Sequence, residues 1–324
     1  MIVDLALLAL GLAVLLAGGR SLVAGASELA GALGVSELTI GMTVVAFGTS
    51  APELAVNTLA AIEGNTTIAF GNIVGSNITN AALVIGVAAM IRPITMESVI
   101  VSREIPMMMV ATFGALILGF DRIDGGAETY DRSDGLMLLL LFSVFLYYSI
   151  SEVVGQRRED PMAVGAAARA PIHGQERRDR ALWLTGGGLV LLVVGAQLTV
   201  TYAVSLAEAL GVPGVVIGLT LVALGTSLPE LATTVMAASR GLTSMAVGNV
   251  VGSNIFNLLF VLGTTATIRP VEIPSGGTLD LLAMTGFSAV LLLLSRSRKP
   301  GIGRITGWIL VTTYLGYVIM RFQA

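Results

Sequence analysis

Long apolar runs separated by short polar breaks dominate the pattern of positions along this chain. Ten such runs approach or exceed the roughly 20 residues that a helix needs to cross about 30 Å of hydrocarbon. They lie at 2–30, 35–61, 68–91, 105–120, 134–151, 182–209, 212–239, 245–268, 278–295 and 302–320. Because backbone groups in lipid must pair within the protein, each run is predicted to be a helix. We therefore expect an all-α polytopic membrane protein with ten transmembrane helices.

A polar stretch at 152–181 divides these runs into two sets of five, at 1–151 and 182–324. The stretch is rich in arginine and is predicted to be an exposed linker. With the linker in the cytoplasm, about 13 basic side chains fall on that side and about 4 on the other, as the positive-inside rule requires. We expect a plasma-membrane protein with a cytoplasmic linker and both termini extracellular.

The composition agrees with this class of protein. Of 324 residues, 55% are hydrophobic and 12% are charged, and the mean hydropathy is +0.87. So few polar residues do not cover a soluble surface. The chain has no cysteine, which excludes disulfides and thiolate metal sites. Its net charge of −3 gives no reason to expect nucleic acid, and no segment indicates a cofactor or an obligatory protein partner.

Two segments of the chain repeat the same sequence. Residues 41–93 align with residues 218–270 at a constant offset of 177 positions, with about 30 of the 53 residues identical. Each copy contains Gly-Thr-Ser-x-Pro-Glu-Leu, then Gly-Asn-x-Val-Gly-Ser-Asn-Ile-x-Asn, and ends in Ile-Arg-Pro. Such a repeat defines the architecture. Since each half has an odd number of spans, the second copy is predicted to enter the membrane inverted, with a binding site between the halves at the bilayer midplane.

The first motif places an acid directly after a proline inside each apolar run, at Glu53 and at Glu230. Proline lacks an amide proton and disfavours helical geometry in the residue before it. We therefore expect free backbone carbonyls near Ala46–Thr49 and Ala223–Thr226, beside the two carboxylates. Carbonyl and carboxylate oxygens are the ligands that hard cations such as Ca²⁺ prefer.

The same motif also fits a capping box, with Ser50 or Ser227 at the N-cap and the glutamate three residues later. That interpretation is weaker inside a membrane span, because an ionised side chain near mid-bilayer costs on the order of 2.5–3.5 kcal/mol or more. Glutamine would fill the same capping role without this cost. Two matched intramembrane acids favour cation coordination and indicate an ion transporter.

The second motif places Asn72, Ser76 and Asn80 four residues apart, which predicts one polar stripe along a helix. The second half repeats the stripe. Its glycines also have the spacing of a close helix-packing seam. We expect both roles on different faces: the glycines bring helices together, and the amide and hydroxyl oxygens face the glutamates.

On these duplicated motifs, the chain resembles the prokaryotic sodium/calcium exchangers of the cation/calcium exchanger superfamily. The resemblance extends over the whole ten-span layout. It implies electrogenic exchange of Na⁺ for Ca²⁺ by alternating access. It also implies that the first and sixth helices slide across a rigid core of eight helices, and the abundance of glycine and alanine in both suggests loose packing.

The resemblance further implies a set of ion ligands. Glu53 and Glu230 would bind Ca²⁺, and the carbonyls of Thr49 and Thr226 would complete that site. The flanking Na⁺ sites would be formed by Ala46, Ser50, Ser76, Ala223, Ser227 and Ser253, with Asn80 and Asn257 as a central polar pair.

The chain departs from some relatives at the central pair, where Asn80 and Asn257 are both amides rather than aspartates. The fixed charge of the site is therefore about −2, which one Ca²⁺, two Na⁺ or two protons would neutralise. The Na⁺:Ca²⁺ stoichiometry and the coupling of protons or K⁺ stay open. Alternative hypotheses are a proton/calcium or potassium-linked exchanger on the same fold and, more distantly, a cation channel. No catalytic constellation indicates an enzyme.

Overall fold

The computed structural model describes residues 2–120, 128–159, 173–210, 223–297 and 300–323. In the first half, most of these residues lie in helices, several of which contain a π-helical turn. The elements are α1 (Ile2–Leu33), α2 (Glu37–Ile40), π1 (Gly41–Val45), α3 (Ala46–Thr49), α4 (Ala51–Glu63), α5 (Thr66–Thr79), π2 (Asn80–Val84), α6 (Ile85–Ile91), β1 (Ile94–Thr95), π3 (Ile100–Glu104), α7 (Ile105–Gly119), β2 (Thr129–Tyr130) and α8 (Arg132–Glu159).

The second half has a similar order of elements. They are α9 (His173–Ala209), α10 (Ala223–Thr226), α11 (Leu228–Ser239), α12 (Thr243–Ile255), π4 (Phe256–Val261), α13 (Leu262–Ile268), β3 (Val271–Glu272), α14 (Gly277–Ser295), β4 (Gly301–Ile302) and α15 (Arg304–Gln323). The described ranges are thus almost entirely helical, as predicted.

Seven helices in the described ranges are long and apolar enough to cross a membrane. An eighth candidate is the pair Glu37–Thr49 and Ala51–Glu63, which is bent by 42° at its junction. These eight match eight of the predicted runs. The run at 302–320 forms helix α15 but does not meet the same criterion, and the run at 212–239 begins in residues outside the described ranges.

The predicted linker is partly helical. Helix α8 continues to Glu159 and helix α9 begins at His173, so both ends of the 152–181 stretch extend transmembrane helices. The polar side chains there do not end the helices, because arginine and glutamate are good helix formers. Residues 160–172 lie outside the described ranges.

Helices α1 and α9 pack against each other along most of their length. Gly18 faces Leu192, and Gly25 faces Thr185: a Cβ on these glycines would lie 2.6 and 2.5 Å from the partner's backbone nitrogen. As the residue number rises along α1 it falls along α9, so the two helices are antiparallel. The expected loose packing is that of these two helices against the remaining core, whereas with each other they pack closely, because glycine lets two backbones approach.

A second close contact joins the two repeated segments. Helix α12 packs against α2 and π1. A Cβ on Gly248 would lie 2.8 Å from the carbonyl oxygen of Leu38, and one on Gly252 would lie 2.7 Å from that of Met42. The packing-seam interpretation therefore holds for the second copy of the motif. It brings the polar stripe of α12 against the helix that ends at Thr49.

Two short antiparallel strand pairs also connect the halves, and the sequence did not predict them. Strand β1 pairs with β4, and strand β2 pairs with β3. Strands β1 and β3 both follow the Ile-Arg-Pro that ends each repeated segment, so the two pairs are equivalent under the repeat. Each therefore ties one half to the other just beyond a helix end.

Candidate cation-binding site

The two acids occupy equivalent positions at breaks in the helices. Ser50 and Ser227 separate α3 from α4 and α10 from α11, with φ and ψ of −87° and 1° in Ser50 and −87° and 2° in Ser227. Each break is followed by proline in the first turn of the next helix and then by Glu53 or Glu230. Both glutamates have 0% exposure. The expected interruption of the helix by the Pro-Glu motif is thus seen in both halves.

The two acids face each other across the halves. Ser50, three residues before Glu53, donates its hydroxyl to Glu230 Oε1 at 3.1 Å. Neither Ser50 nor Ser227 makes a side-chain capping hydrogen bond to its own helix. The geometry therefore disfavours the capping-box interpretation and favours a shared site.

A reciprocal pair of hydrogen bonds joins the two motifs. Thr49 donates its hydroxyl to Asn249 Oδ1 at 3.2 Å, and Thr226 donates to Asn72 Oδ1 at 3.0 Å. These contacts are equivalent under the 177-residue offset. In each half, the first amide of the polar stripe, Asn72 or Asn249, thus accepts a hydrogen bond from the threonine that precedes the helix break of the other half.

Many polar atoms at this site are buried without a hydrogen-bond partner among the described residues. They are both carboxylate oxygens of Glu53, Glu230 Oε2, the hydroxyls of Ser76, Ser227 and Ser253, and the side-chain oxygen and nitrogen of Asn80 and of Asn257. Buried polar groups are normally paired, so such a concentration requires a ligand or ordered water. The atoms are mostly oxygens, which suits a hard cation.

The central amides lie where helices change their winding. Asn80 begins π2, and Asn257 lies in π4, one residue after its start. A π-helical turn adds a residue to the turn and is frequent at functional sites. Both side chains are completely buried. The sequence predicted these residues as the central polar pair but gave no signal for the altered winding.

The backbone carbonyls differ from the expectation in one detail. The carbonyl of Ala46 accepts a hydrogen bond from the Ser50 amide at 3.0 Å, so it is not released from the helix. It also lies 3.3 Å from the Thr49 hydroxyl, whose single proton is shared between this carbonyl and Asn249. Pro52 has no amide proton to donate to the carbonyl of Gly48. In the second half, the Ser227 amide donates to Leu224 at 3.1 Å. The side chain of Ala223 is outside the described set.

Three asparagines near the acids were not predicted as ion ligands. Asn72 and its equivalent Asn249 belong to the predicted polar stripe, and Asn57 follows the first motif. Asn249 is fully buried and accepts from Thr49, and Asn72 accepts from Thr226. Asn57 is fully buried one turn after Glu53 and donates to the Glu53 carbonyl at 2.6 Å. Two features of the sequence could have identified them as site residues. Asn72 and Asn249 recur in both copies of the motif, and Asn57 lies four residues after Glu53.

The site contains two carboxylates, those of Glu53 and Glu230. In the described part of the chain, no group of three or more histidine, aspartate or glutamate side chains is placed to hold a metal ion. A divalent cation here would therefore take most of its ligands from carbonyl, hydroxyl and amide oxygens. Such mixed oxygen sets are typical of Ca²⁺ sites.

These features define a helical multi-pass membrane protein with two opposed carboxylates in an enclosed polar site between repeated segments. The family described as sodium/calcium exchanger protein matches residues 3–151 and 180–323. The chain belongs to this family.

Individual relatives are similar over their full length. The sodium/calcium exchanger MaX1 of Methanosarcina acetivorans is 33% identical over 345 residues, covering 99% of both chains. The inner membrane protein YrbG of Escherichia coli K12 is 35% identical over 325 residues, covering 99% of this chain and 98% of that protein. A solved structure of the sodium-calcium exchanger NCX_Mj superposes with a TM-score of 0.84 at 30% identity, covering 98% of this chain and 99% of the other.

The paired acids give a testable prediction about stability. Replacing Glu53 or Glu230 by Gln removes one of two buried, mutually repelling carboxylates, so the metal-free variants should unfold at the same temperature as the unsubstituted protein or higher. Both variants should also lose the stabilisation that Ca²⁺ gives by binding the folded state. Intrinsic fluorescence in detergent, with and without Ca²⁺, measures both effects. The control is Glu63→Gln at the exposed end of α4. Full stabilisation by Ca²⁺ in either site variant would contradict the assignment.

Proposed function

We propose that the protein is a secondary active antiporter that exchanges Na⁺ for Ca²⁺ across the plasma membrane. The observation that carries the proposal is the set of buried oxygens without partners around Glu53 and Glu230. Burying polar groups without partners is costly, and a bound cation would satisfy them. The family membership and the named exchangers among the relatives point to the same pair of ions.

In this proposal, Glu53 and Glu230 bind Ca²⁺ together with the carbonyls of Thr49 and Thr226. The hydroxyls of the motif serines and the remaining carbonyls coordinate Na⁺ on either side, and the central amides complete the polar cavity. The flanking residues are Ala46, Ala223, Ser50, Ser227, Ser76, Ser253, Asn80 and Asn257. Of these, the carbonyl of Ala46 has the least capacity for an ion, because it already accepts a hydrogen bond from the Ser50 amide and lies close to the Thr49 hydroxyl.

Alternating access would follow from two inverted five-helix repeats, at 1–151 and 182–324, joined by the linker at 152–181. The antiparallel packing of α1 against α9 supports this arrangement, since these helices are equivalent under the repeat. The reciprocal hydrogen bonds and strand pairs between the halves also support it. A site between opposed repeats is accessible from one side at a time when one set of helices moves against the other.

Flux measurements test the proposed function. In proteoliposomes, an outward Na⁺ gradient should drive uptake of radiolabelled Ca²⁺ at fixed pH and voltage. Glu53→Gln and Glu230→Gln should each reduce uptake to the level of empty liposomes, because half of the fixed charge of the site is lost. Glu63→Gln should transport normally.

The same assay separates the alternatives. Uptake driven by an outward proton gradient or dependent on K⁺, with no response to Na⁺, would support the proton- or potassium-linked exchanger instead. Single-channel currents would support the channel. Normal transport by both glutamine variants would refute the site whatever the ions are.

Protons and cations compete for the same two carboxylates, so acid should inhibit exchange. Lowering the pH from about 7 to about 5 on both sides of the membrane should reduce Na⁺-driven Ca²⁺ uptake, since a protonated carboxyl no longer offers its charge to a cation. Initial rates at equal Na⁺ gradients measure the effect. Unchanged uptake over this range would be evidence against carboxylate coordination.

The orientation is testable because the chain contains no cysteine, so an introduced cysteine is the only thiol. We expect Ser133→Cys, at the start of α8, to react with a membrane-impermeant maleimide on intact cells. Ala167→Cys in the linker should react only after permeabilisation, since the excess of basic residues places the linker in the cytoplasm. The reverse labelling pattern would invert the proposed topology.

A further inference from the structure

Asn249 links three parts of the site through a single buried amide. Its Oδ1 accepts the hydroxyl of Thr49 at 3.2 Å, and its Nδ2 donates to Thr234 Oγ1 at 2.9 Å. The Nδ2 also lies 3.5 Å from the backbone carbonyl of Glu230. Asn249 and Thr234 have 0% exposure and Thr49 has 1%, so water does not compete for these bonds.

Thr49 needs such a restraint because of its place at the end of α3. The helix breaks at Ser50, and Pro52 removes an amide that a continuous helix would use to fix the preceding turn. Side-chain bonds then add to the one backbone hydrogen bond, from the Ser50 amide to Ala46, that closes this turn. In the other half, the Thr49 hydroxyl lies within hydrogen-bonding distance of Asn249 Oδ1, at 3.2 Å.

We propose that Asn249 is a positioning residue that aligns Thr49 for ion coordination, and that Thr234 holds the Asn249 amide in the required orientation. Because an amide group is planar, fixing the nitrogen at Thr234 also directs the oxygen toward Thr49. The bridge Thr49–Asn249–Thr234 joins the break in the first half to the acid-bearing helix of the second. This inference rests on the proposed function, since Thr49 is one of its ion ligands.

In the part of the first half that the structure describes, the equivalent bridge is not formed, so the repeat alone does not provide it. The position equivalent to Thr234 is Asn57, whose amide donates to its own helix at the Glu53 carbonyl. Asn57 Oδ1 and Asn72 Nδ2 are both buried without a partner among the described residues. Among the described residues, the chain of bonds that starts at Thr226 ends at Asn72.

Adjacent threonines supply a matched test. Thr233 and Thr234 are both fully buried on α11, but in the described structure Thr233 Oγ1 has no hydrogen-bond partner. Valine has nearly the same shape as threonine and lacks the hydroxyl. Thr234→Val should raise the half-saturating Ca²⁺ concentration for uptake about three- to tenfold, the effect of one buried hydrogen bond. Thr233→Val should leave it unchanged, and Thr234→Ser, which keeps the hydroxyl, should restore it.

A structural role and a positioning role give different results. The inferred role changes the half-saturating concentration while the maximal rate and the metal-free unfolding temperature stay close to those of the unsubstituted protein. Equal Ca²⁺ dependence in Thr234→Val and Thr233→Val, or a loss of stability with unchanged Ca²⁺ dependence, would overturn the inference. Absence of Na⁺-driven uptake in the unsubstituted protein would instead refute the proposed function.

A double-mutant cycle keeps the inference testable if one variant folds poorly. Thr49→Val removes the hydroxyl that Asn249 accepts but keeps the Thr49 carbonyl. Because both substitutions break the same bridge, Thr49→Val combined with Thr234→Val should be no worse than the more affected single variant. Additive losses of Ca²⁺ affinity would show that the two residues act independently. The cycle can also be measured in detergent as the thermal stabilisation by Ca²⁺, which requires no transport.

Discussion

Two carboxylates buried against each other inside a helical membrane bundle form an arrangement that is unfavourable without a partner of positive charge. Glu53 and Glu230 are both inaccessible, and most of their oxygens accept no hydrogen bond from the described residues. In a medium of low polarity, an unpaired charge costs far more than at a surface. The proposed function gives a role to the other polar features of the site. Serines, threonines and asparagines, together with the helix breaks and the π-helical turns, would place oxygens around a bound cation.

The site is assembled by exchange between the halves. Each repeated segment supplies a threonine that donates to an amide of the other, and the Ser50 hydroxyl from one half binds the acid of the other. Both halves therefore contribute polar groups to one site. The same exchange recurs at the periphery, where the strand after each Ile-Arg-Pro pairs with a segment of the opposite half.

Much of this could be predicted from the sequence, because apolar runs, proline positions and repeated motifs report local constraints. The helices, the breaks before Glu53 and Glu230 and the burial of Asn80 and Asn257 follow from such signals. The π-helical turns, the two-residue strands and the role of Asn249 did not follow, since they depend on contacts between residues far apart in the chain. The close contact of α1 with α9 was not predicted, because glycine content does not reveal whether another backbone lies opposite. The orientation and the ion ligands themselves stay predictions.

The glycine contacts between α1 and α9 have a mechanical consequence. Backbones in such close contact, as at Gly18 and Gly25, have little freedom to shift independently. One of these helices begins the first half and the other begins the second, and they run in opposite directions. If they move over the remaining helices, we expect them to move together as one rigid pair. The two ends of this pair face opposite sides of the membrane. Under the proposed alternating access, a displacement that uncovers the site at one end would cover it at the other, so the stiffness of this helix pair would block a leak through both ends at once.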